Sequence, residues 1–156
     1  MRTEARLTSS FVKRSVDMAD ENPTYVVFFD GVCSLCNRFV QFLFQRDRDE
    51  ILYVAPLEGK TAEDLLPSKY RGDHVDSIVF MDRSGGEPCF YQKSDAVLRI
   101  LPKLGGVWIG TKFLRWVPRA IRDAVYDFVA NNRYDWFGKY DSCPAPEPEW
   151  KQRFLE

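Results

Sequence analysis

Two cysteines separated by two residues form the most reactive pattern in the sequence. Cys33 and Cys36 enclose Ser34-Leu35 and follow Asp30-Gly31, a dipeptide typical of turns. Thiols at this spacing lie within one helical turn, so they can close into a disulfide and reopen. The pattern indicates dithiol redox chemistry, and the alternatives are two unreactive structural cysteines or half of a zinc site.

The elements on either side of this motif predict where the thiols lie. Residues Tyr25 to Phe29 form an unbroken apolar run, which is typical of a strand buried on both faces. After the cysteines the period becomes that of an amphipathic helix, with Cys36 and Leu43 on its apolar stripe. Cys33 is therefore predicted at a strand-to-helix junction, where free N–H groups and the helix dipole lower the pKa of a thiol.

The junction predicts different roles for its residues. We expect Cys33 to be exposed and to attack a disulfide, and Cys36 to be more buried and to resolve the mixed disulfide. An arrangement with Cys36 as the more accessible sulfur would reverse these roles. Two interpretations of Asp30 remain open, namely a buried carboxylate that exchanges protons with Cys36 and a turn residue that accepts backbone N–H bonds. Gly31 is expected to supply a positive φ or room for a partner chain.

The remaining candidate ligands do not form a second close pair. Zinc usually takes four nitrogen or sulfur ligands, and only His74, Cys89 and Cys143 are left to complete such a set. We therefore predict no metal site. His74 is interpreted as a solvated loop residue and Cys89 as a small apolar residue on an edge strand.

Composition limits the class of protein. The 156 residues are enough for one domain, and 45% are hydrophobic. The 22 basic and 23 acidic residues nearly cancel, so no nucleic-acid partner is expected. No stretch approaches the ~20 apolar residues of a membrane span, so no integral membrane segment is expected. No glycine-rich dinucleotide motif is present, so no organic cofactor is implied.

Cysteine usage and the N-terminal segment bear on the compartment. Four cysteines are too few for a disulfide-stapled secreted scaffold, which favours a reducing compartment. Residues 1–23 lack a clean period and are interpreted as a flexible arm or a leader, followed by one domain over residues 24–156. The expected location is cytoplasmic, or organellar if residues 1–23 are a cleaved leader.

The rest of the chain predicts a β-α-β unit, then a hairpin and helices. Further strands are predicted at Ile51–Val54, Ser77–Met81 and Pro88–Gln92, with a hairpin turn at Asp82–Gly86 and a polar helix or loop at Thr61–Tyr70. Ser94 is expected to cap a helix that Pro102 stops. This order of elements is that of a thioredoxin-like α/β fold.

The C-terminal third contains a second amphipathic pattern and an aromatic tail. From Thr111 the helical period returns, with an apolar face that includes Ile121, Val125 and Phe128, and Pro118 is expected to start or kink the main helix. We expect this face to pack on the sheet and the basic side of the helix to be solvated. The alternative is that the tryptophans and basic residues of this region form a membrane-surface or partner-binding face; they are Trp108, Lys112, Arg115, Trp116, Arg119 and Arg122. The tail, Arg133 to Glu156, is too aromatic to remain in water and is expected to fold back.

Several segments together resemble one family. The run D-G-V-C-S-L-C-N, the segments S-I-V-F and S-D-A-V-L, and the tail R-Y-D-W-F-G-K-Y-D-S-C resemble the DCC family of thiol-disulfide oxidoreductases, whose domain is called DUF393. The resemblance implies a thioredoxin-like three-layer fold with a mixed, mostly four-stranded sheet. It also implies that Asp30, Cys33 and Cys36, the residues that give the family its name, form the site.

Two hypotheses of function follow. The first is a protein thiol-disulfide oxidoreductase that acts on a protein thiol or disulfide through Cys33 and Cys36. The second is a non-catalytic thioredoxin-like module that binds a partner through its tail and C-terminal helix. If the tail folds over the carboxyl ends of the parallel strands, Cys143 is either a buried residue or an alternative resolving thiol.

Overall fold

A computed structural model describes residues 23–72 and 77–156 of the protein. A mixed four-stranded sheet lies at the centre of the fold. The strands are β1 (Tyr25–Phe29), β2 (Leu52–Pro56), β3 (Val79–Asp82) and β4 (Cys89–Gln92), in the order β2-β1-β3-β4. β1 pairs in parallel with β2 and antiparallel with β3, and β3 pairs antiparallel with β4. The predicted β-α-β unit, the hairpin and the edge position of β4 are confirmed.

Helices cover both faces of this sheet. They are α1 (Ser34–Arg46), α2 (Lys60–Leu65), α3 (Lys93–Ile100) and α4 (Arg119–Phe137), with 3-10 segments at Ser68–Tyr70, Leu101–Leu104, Gly106–Trp116 and Lys151–Arg153. Core residues of α1 and α3 pack on one face, and those of α2 on the other. This layered arrangement confirms the thioredoxin-like α/β fold. Within the described ranges, no helix has the length and apolar character needed to cross a membrane.

The position of β1 in the middle of the fold explains why its sequence is an unbroken apolar run. Val27 and Phe29 of β1 belong to the core cluster beneath α1, whereas Val26 and Phe28 belong to the cluster beneath α2. All four side chains are fully buried. Burial on both faces removes the alternation of a half-exposed strand, so the prediction from the apolar run is confirmed.

The predicted cap of α3 is wrong. Ser94 lies inside the helix, and its N-cap is Gln92 with no side-chain cap bond. The Ser94 hydroxyl instead donates a hydrogen bond of 2.5 Å to Asp123 of α4 and accepts one from Arg122. The hydroxyl thus links two helices, a tertiary contact that the local sequence cannot reveal.

The inward face of α4 also differs from the prediction. The helix starts after Pro118, as expected, but Ile121, Val125 and Phe128 of the predicted buried face are exposed. The inward positions include Tyr126, whose hydroxyl accepts the N–H of Ile78 at 3.0 Å. Polar side chains with specific partners therefore set the orientation of α4, so the apolar stripe is turned outward.

The tail folds back in part. α4 continues through Phe137 and ends at Gly138, which has a φ of 84°, so the irregular tail starts later than predicted. Trp150 then stacks on Phe44, with 5.3 Å between ring centroids. Near its end the tail runs beside β2 and pairs with Val54. The expected folding back is confirmed for this part, but Trp136, Phe137 and Tyr140 remain 53%, 38% and 41% exposed.

Candidate active site

The two cysteines of the motif lie at the strand-to-helix junction that the sequence predicts. Cys33 is the N-cap of α1, and its sulfur accepts the N–H of Cys36 at 3.2 Å. Its carbonyl accepts the backbone N–H of Asn37 at 3.0 Å, the first turn of the helix. A sulfur in this position meets the free N–H groups and the positive end of the helix dipole.

The two thiols differ sharply in acidity. A hydrogen bond with the Cys36 side chain, together with the Cys36 backbone N–H, lowers the pKa of Cys33 from 9.0 to about 7 against the opposing effect of burial. The same bond with Cys33 raises the pKa of Cys36, and burial and the charge of Cys33 raise it further. Cys33 is therefore ionised in a substantial fraction of molecules near neutral pH, while Cys36 keeps its proton.

The prediction that Cys33 is exposed is wrong, because both cysteines are buried. Cys33 is 0% exposed, whereas Cys36 is 9% exposed. The tail pairs with the motif here: Lys139 forms a β-bridge with Cys33, and the N–H of Tyr140 donates to the carbonyl of Val32 at 2.8 Å. The small difference in residue exposure favours Cys36 as the attacking thiol. The lowered pKa of Cys33 favours Cys33, as predicted.

Asp30 uses both of its oxygens. Oδ1 accepts the N–H of Val32 at 3.0 Å, so the interpretation as a turn residue is confirmed. Oδ2 accepts a hydrogen bond of 3.0 Å from the Arg133 guanidinium and another from the Tyr134 hydroxyl. A buried carboxylate is costly unless it is paired and hydrogen-bonded, and these contacts satisfy that need.

Sequence reasoning missed Arg133 and Tyr134 as parts of the site. Arg133 is 3% exposed and lowers the pKa of both Cys33 and Cys36, while the Asp30 carboxylate raises both. Burial raises the pKa of Tyr134 to about 12, so its hydroxyl keeps its proton. The available signal was the dipeptide R-Y, which begins the family-like tail segment. The sequence did not reveal where this dipeptide lies relative to the sheet.

The tail places a third cysteine against the turn that carries the motif. A Cβ added to Gly31 would lie 2.9 Å from both Cβ and Sγ of Cys143 and 3.4 Å from Pro56. Gly31 has no positive φ, so its role here is to leave room for the chain's own tail rather than for a partner chain. Cys143 thus lies over the carboxyl ends of β1 and β2, and burial raises the pKa of its thiol.

A cavity of about 210 Å³ opens beside the second thiol. Its walls come from α1, α3 and α4 and the start of β3, and they are almost entirely apolar. The lining residues are Leu35, Cys36, Phe39, Ile78, Val97, Tyr126, Val129, Ala130 and Arg133. Cys36 therefore faces an apolar space, whereas Cys33 faces the tail.

The other candidate ligands lie away from the motif or outside the described ranges. Cys89 is exposed at the start of β4, the strand at the sheet edge. His74 belongs to residues 73–76, which lie outside the described residues, so its prediction as a solvated residue stays a prediction. Among residues 23–72 and 77–156, no group of three or more His, Cys, Asp or Glu side chains could hold a metal ion.

Comparison with known proteins points to one family. The family model described as DCC1-like thiol-disulfide oxidoreductase matches residues 27–139. The protein named uncharacterized protein YuxK, from Bacillus subtilis (strain 168), is 40% identical over 138 residues, which cover 88% of this chain and 98% of that protein. A chloroplastic DCC family protein of Arabidopsis thaliana is 34% identical over 144 residues, which cover 91% and 81%. No solved structure matches the chain.

Proposed function

Since the chain belongs to the DCC1-like thiol-disulfide oxidoreductase family, we propose that it is a protein thiol-disulfide oxidoreductase with Cys33 as the nucleophile and Cys36 as the resolving thiol. The observation that carries this proposal is the division of acidity at the helix N-terminus. The pKa of Cys33 is lowered to about 7 and that of Cys36 is raised. Because the thiolate is the reactive form, Cys33 is the sulfur prepared to attack.

The reaction proceeds through one mixed disulfide. The Cys33 thiolate attacks one sulfur of a substrate disulfide, a Cys33–substrate bond forms, and the other substrate sulfur leaves as a thiolate. Cys36 then loses its proton and attacks the Cys33 sulfur, which releases the second substrate thiolate. The substrate disulfide is reduced by two electrons and the dithiol is oxidised to the Cys33–Cys36 disulfide, and the reverse sequence oxidises a substrate dithiol.

Asp30 acts on this reaction through its contacts at the motif. Its bond to the Val32 N–H holds the turn before Cys33, and its ion pair keeps Arg133 near both sulfurs. We also propose that Asp30 receives the Cys36 proton during resolution. In Asp30→Asn, proton transfer would then slow the release of substrate from the mixed disulfide, and the pH dependence of that step would change. A purely positional role would leave the pH dependence of resolution as it is in the wild type.

The tail must move before a protein disulfide can meet Cys33. Cys33 is fully buried, and Lys139 and Tyr140 pair with the backbone of Cys33 and Val32, so we propose an opening of residues 138–144 as the step that admits substrate. An apolar substrate segment could then contact the cavity beside Cys36. The compartment belongs to the proposal as well: cytoplasm, or an organelle if residues 1–23 are a cleaved leader, for which the chloroplastic relative is the support.

Trapping of the mixed disulfide tests the assignment of roles. The full-length variants Cys36→Ser and Cys33→Ser are incubated with insulin, whose disulfides serve as substrate, and the adducts are identified by mass spectrometry. Cys36→Ser is expected to hold insulin on Cys33, and Cys33→Ser to form little adduct. If an adduct accumulates only on Cys36 of the Cys33→Ser variant, Cys36 would be the nucleophile and Cys33 the resolving thiol.

A titration of the thiols separates this proposal from a non-catalytic binding module. Alkylation of each cysteine by iodoacetamide is followed over pH by peptide mass spectrometry. One cysteine of clearly lowered pKa supports the oxidoreductase. Four cysteines of ordinary acidity, together with no insulin adduct in either variant, would overturn it in favour of the module.

A further inference from the structure

An exposed surface of aromatic and basic side chains precedes α4. The five consecutive residues from Lys112 to Trp116 are all exposed. Phe113 is 69% and Trp116 85% exposed, and the two rings meet edge to face with 5.8 Å between their centroids. Large apolar side chains that cluster in water usually mark a site of interaction. We call residues 107–116 the Phe113–Trp116 surface, and it lies outside the proposed active site.

The positive charge of this region favours an anionic partner. From Ala96 to Arg122 the chain has six basic residues and no acidic residue, although the whole chain has a net charge of −1. Lys103, Arg119 and Arg122 of this stretch form ion pairs with aspartates of other segments. No carboxylate of the described part of the chain pairs with Lys112 or Arg115. Within residues 23–72 and 77–156, these two cations beside the aromatic pair thus have no neutralising partner.

We propose that the Phe113–Trp116 surface docks the protein reversibly onto an anionic membrane surface. Phe113 and Trp116 would enter the headgroup region, where tryptophan is favoured because its ring is amphipathic. Lys112 and Arg115 would meet the phosphates of anionic lipids, which attract basic side chains near the membrane. Val107 and Ile109, both exposed in the same 3-10 segment, add apolar surface.

A lipid surface fits this composition better than a second protein. The core of a protein interface is depleted in lysine. Here Lys112 and Arg115 alternate with the apolar residues within a single exposed run of five. Basic residues beside tryptophan and phenylalanine on one short amphipathic segment are typical of elements that lie in a membrane interface.

Co-sedimentation with vesicles tests the proposal. The full chain is mixed with vesicles of phosphatidylcholine alone or of phosphatidylcholine with phosphatidylglycerol. Binding is expected only to the vesicles that contain phosphatidylglycerol, and it should weaken as salt is raised because salt screens the attraction. Quenching of tryptophan fluorescence by lipids with brominated acyl chains should accompany binding and should decrease in Trp116→Phe.

Two double variants separate the apolar and the electrostatic contributions. Phe113→Ser/Trp116→Ser and Lys112→Glu/Arg115→Glu are each expected to weaken binding by roughly tenfold or more. The matched control is Arg48→Glu/Lys60→Glu, which changes the net charge equally at exposed positions elsewhere and should retain most of the affinity. Alkylation of Cys33 should remain unchanged in all three, which shows that the site is still folded.

Three outcomes would overturn the proposal. The first is no binding to vesicles with phosphatidylglycerol at low salt. The second is a control variant that loses as much affinity as Lys112→Glu/Arg115→Glu, because the attraction would then be a property of net charge. The third is self-association without lipid that Phe113→Ser/Trp116→Ser abolishes in analytical ultracentrifugation, which would assign the surface to a second copy of the chain.

Discussion

The tail after Gly138 and the outer face of α4 are both rich in apolar side chains, but only the tail is held against the domain. Near its end, the N–H of Leu155 donates to the carbonyl of Val54 at 2.8 Å. Arg153 forms an ion pair of 2.8 Å with Asp47, a carboxylate buried at the end of α1. These polar contacts fix the tail at defined positions, and its aromatic rings pack there.

The outer face of α4 has apolar residues at helical spacing and remains in water. Ile121, Val125 and Phe128 are more than half exposed, at 57%, 61% and 62%. The opposite side of the helix carries the ion pair of Arg133 and the hydrogen bond of Tyr126, and both point to the domain. Buried polar contacts thus decide which side of an apolar segment packs on the domain. Leaving a buried polar group without a hydrogen bond costs more free energy than exposing a few apolar side chains.

The chemistry should depend on the thiol beneath the tail and not on the exposed thiol at the sheet edge. Cys33→Ser is expected to abolish the reduction of insulin disulfides in the presence of dithiothreitol, because it removes the proposed nucleophile. Cys89→Ser, on β4, should leave the rate nearly unchanged. Equal losses of activity from the two substitutions would indicate a shared disulfide network. They would also contradict the expectation that only the cysteine beside the tail takes part in the reaction.

The difference in packing should appear as a difference in stability. Phe154 of the tail packs edge to face on Phe29, with 6.0 Å between ring centroids, so Phe154→Ala should lower the free energy of unfolding by about 2 kcal/mol. Phe128→Ala, on the outer face of α4, should change it by no more than about 0.5 kcal/mol. Urea unfolding followed by circular dichroism measures both. Similar losses would mean that the outer face of α4 is buried in solution.

Crowding at Gly31 tests whether the tail covers Cys33. In Gly31→Ala the new methyl would overlap Cys143, so the tail should be displaced. We expect the alkylation of Cys33 to become faster and the free energy of unfolding to decrease by about 1–2 kcal/mol. Gly85→Ala is the matched control, since nothing lies within 4 Å of that position.

A second substitution identifies the contact responsible. Cys143→Gly removes both atoms that the new methyl would meet, so Gly31→Ala/Cys143→Gly should regain most of the lost stability. A double variant that is no more stable than Gly31→Ala would place the strain elsewhere, for example at Pro56.

The pH dependence of alkylation is the finest comparison, because it distinguishes two cysteines that both lie under the tail. The thiolate fraction rises with pH through the pKa, so the rate at Cys33 should reach half of its maximum near pH 7. Burial raises the pKa of Cys143, so that residue should still react slowly at this pH. Iodoacetamide labelling, quantified by peptide mass spectrometry, measures both rates. A half-maximum for Cys33 near 9 would remove the reason for calling it the nucleophile.

Local patterns predicted much of the fold and the first part of the site. The apolar run of β1, the turn at Asp30 and the helical period after Cys36 each involve residues close in sequence. They placed the two cysteines at the junction that the structure has. The hairpin between β3 and β4 was predictable for the same reason, because Ser84 bonds to Asp82 within the turn itself.

Contacts between distant residues account for the errors. The ion pair between Asp30 and Arg133 joins residues 103 apart, and no periodicity marks an arginine as a buried partner. Cys33 forms a bridge with Lys139, which exists only once α4 and the tail are in place. Sequence reasoning therefore identified the candidate cysteine pair but missed both its electrostatic partner, Arg133, and the tail segment that pairs with Cys33.

The end of the tail also affects how the sheet meets other proteins. An open sheet edge offers unpaired N–H and carbonyl groups to a strand of another molecule, and proteins protect such edges against aggregation. On the β2 side, the carbonyl of Val54 is already taken by Leu155, and Phe154 lies beside the same strand. The opposite edge, β4, has only four residues. The last residues of the chain therefore protect the longer edge of the sheet, and the shortness of β4 limits pairing at the other.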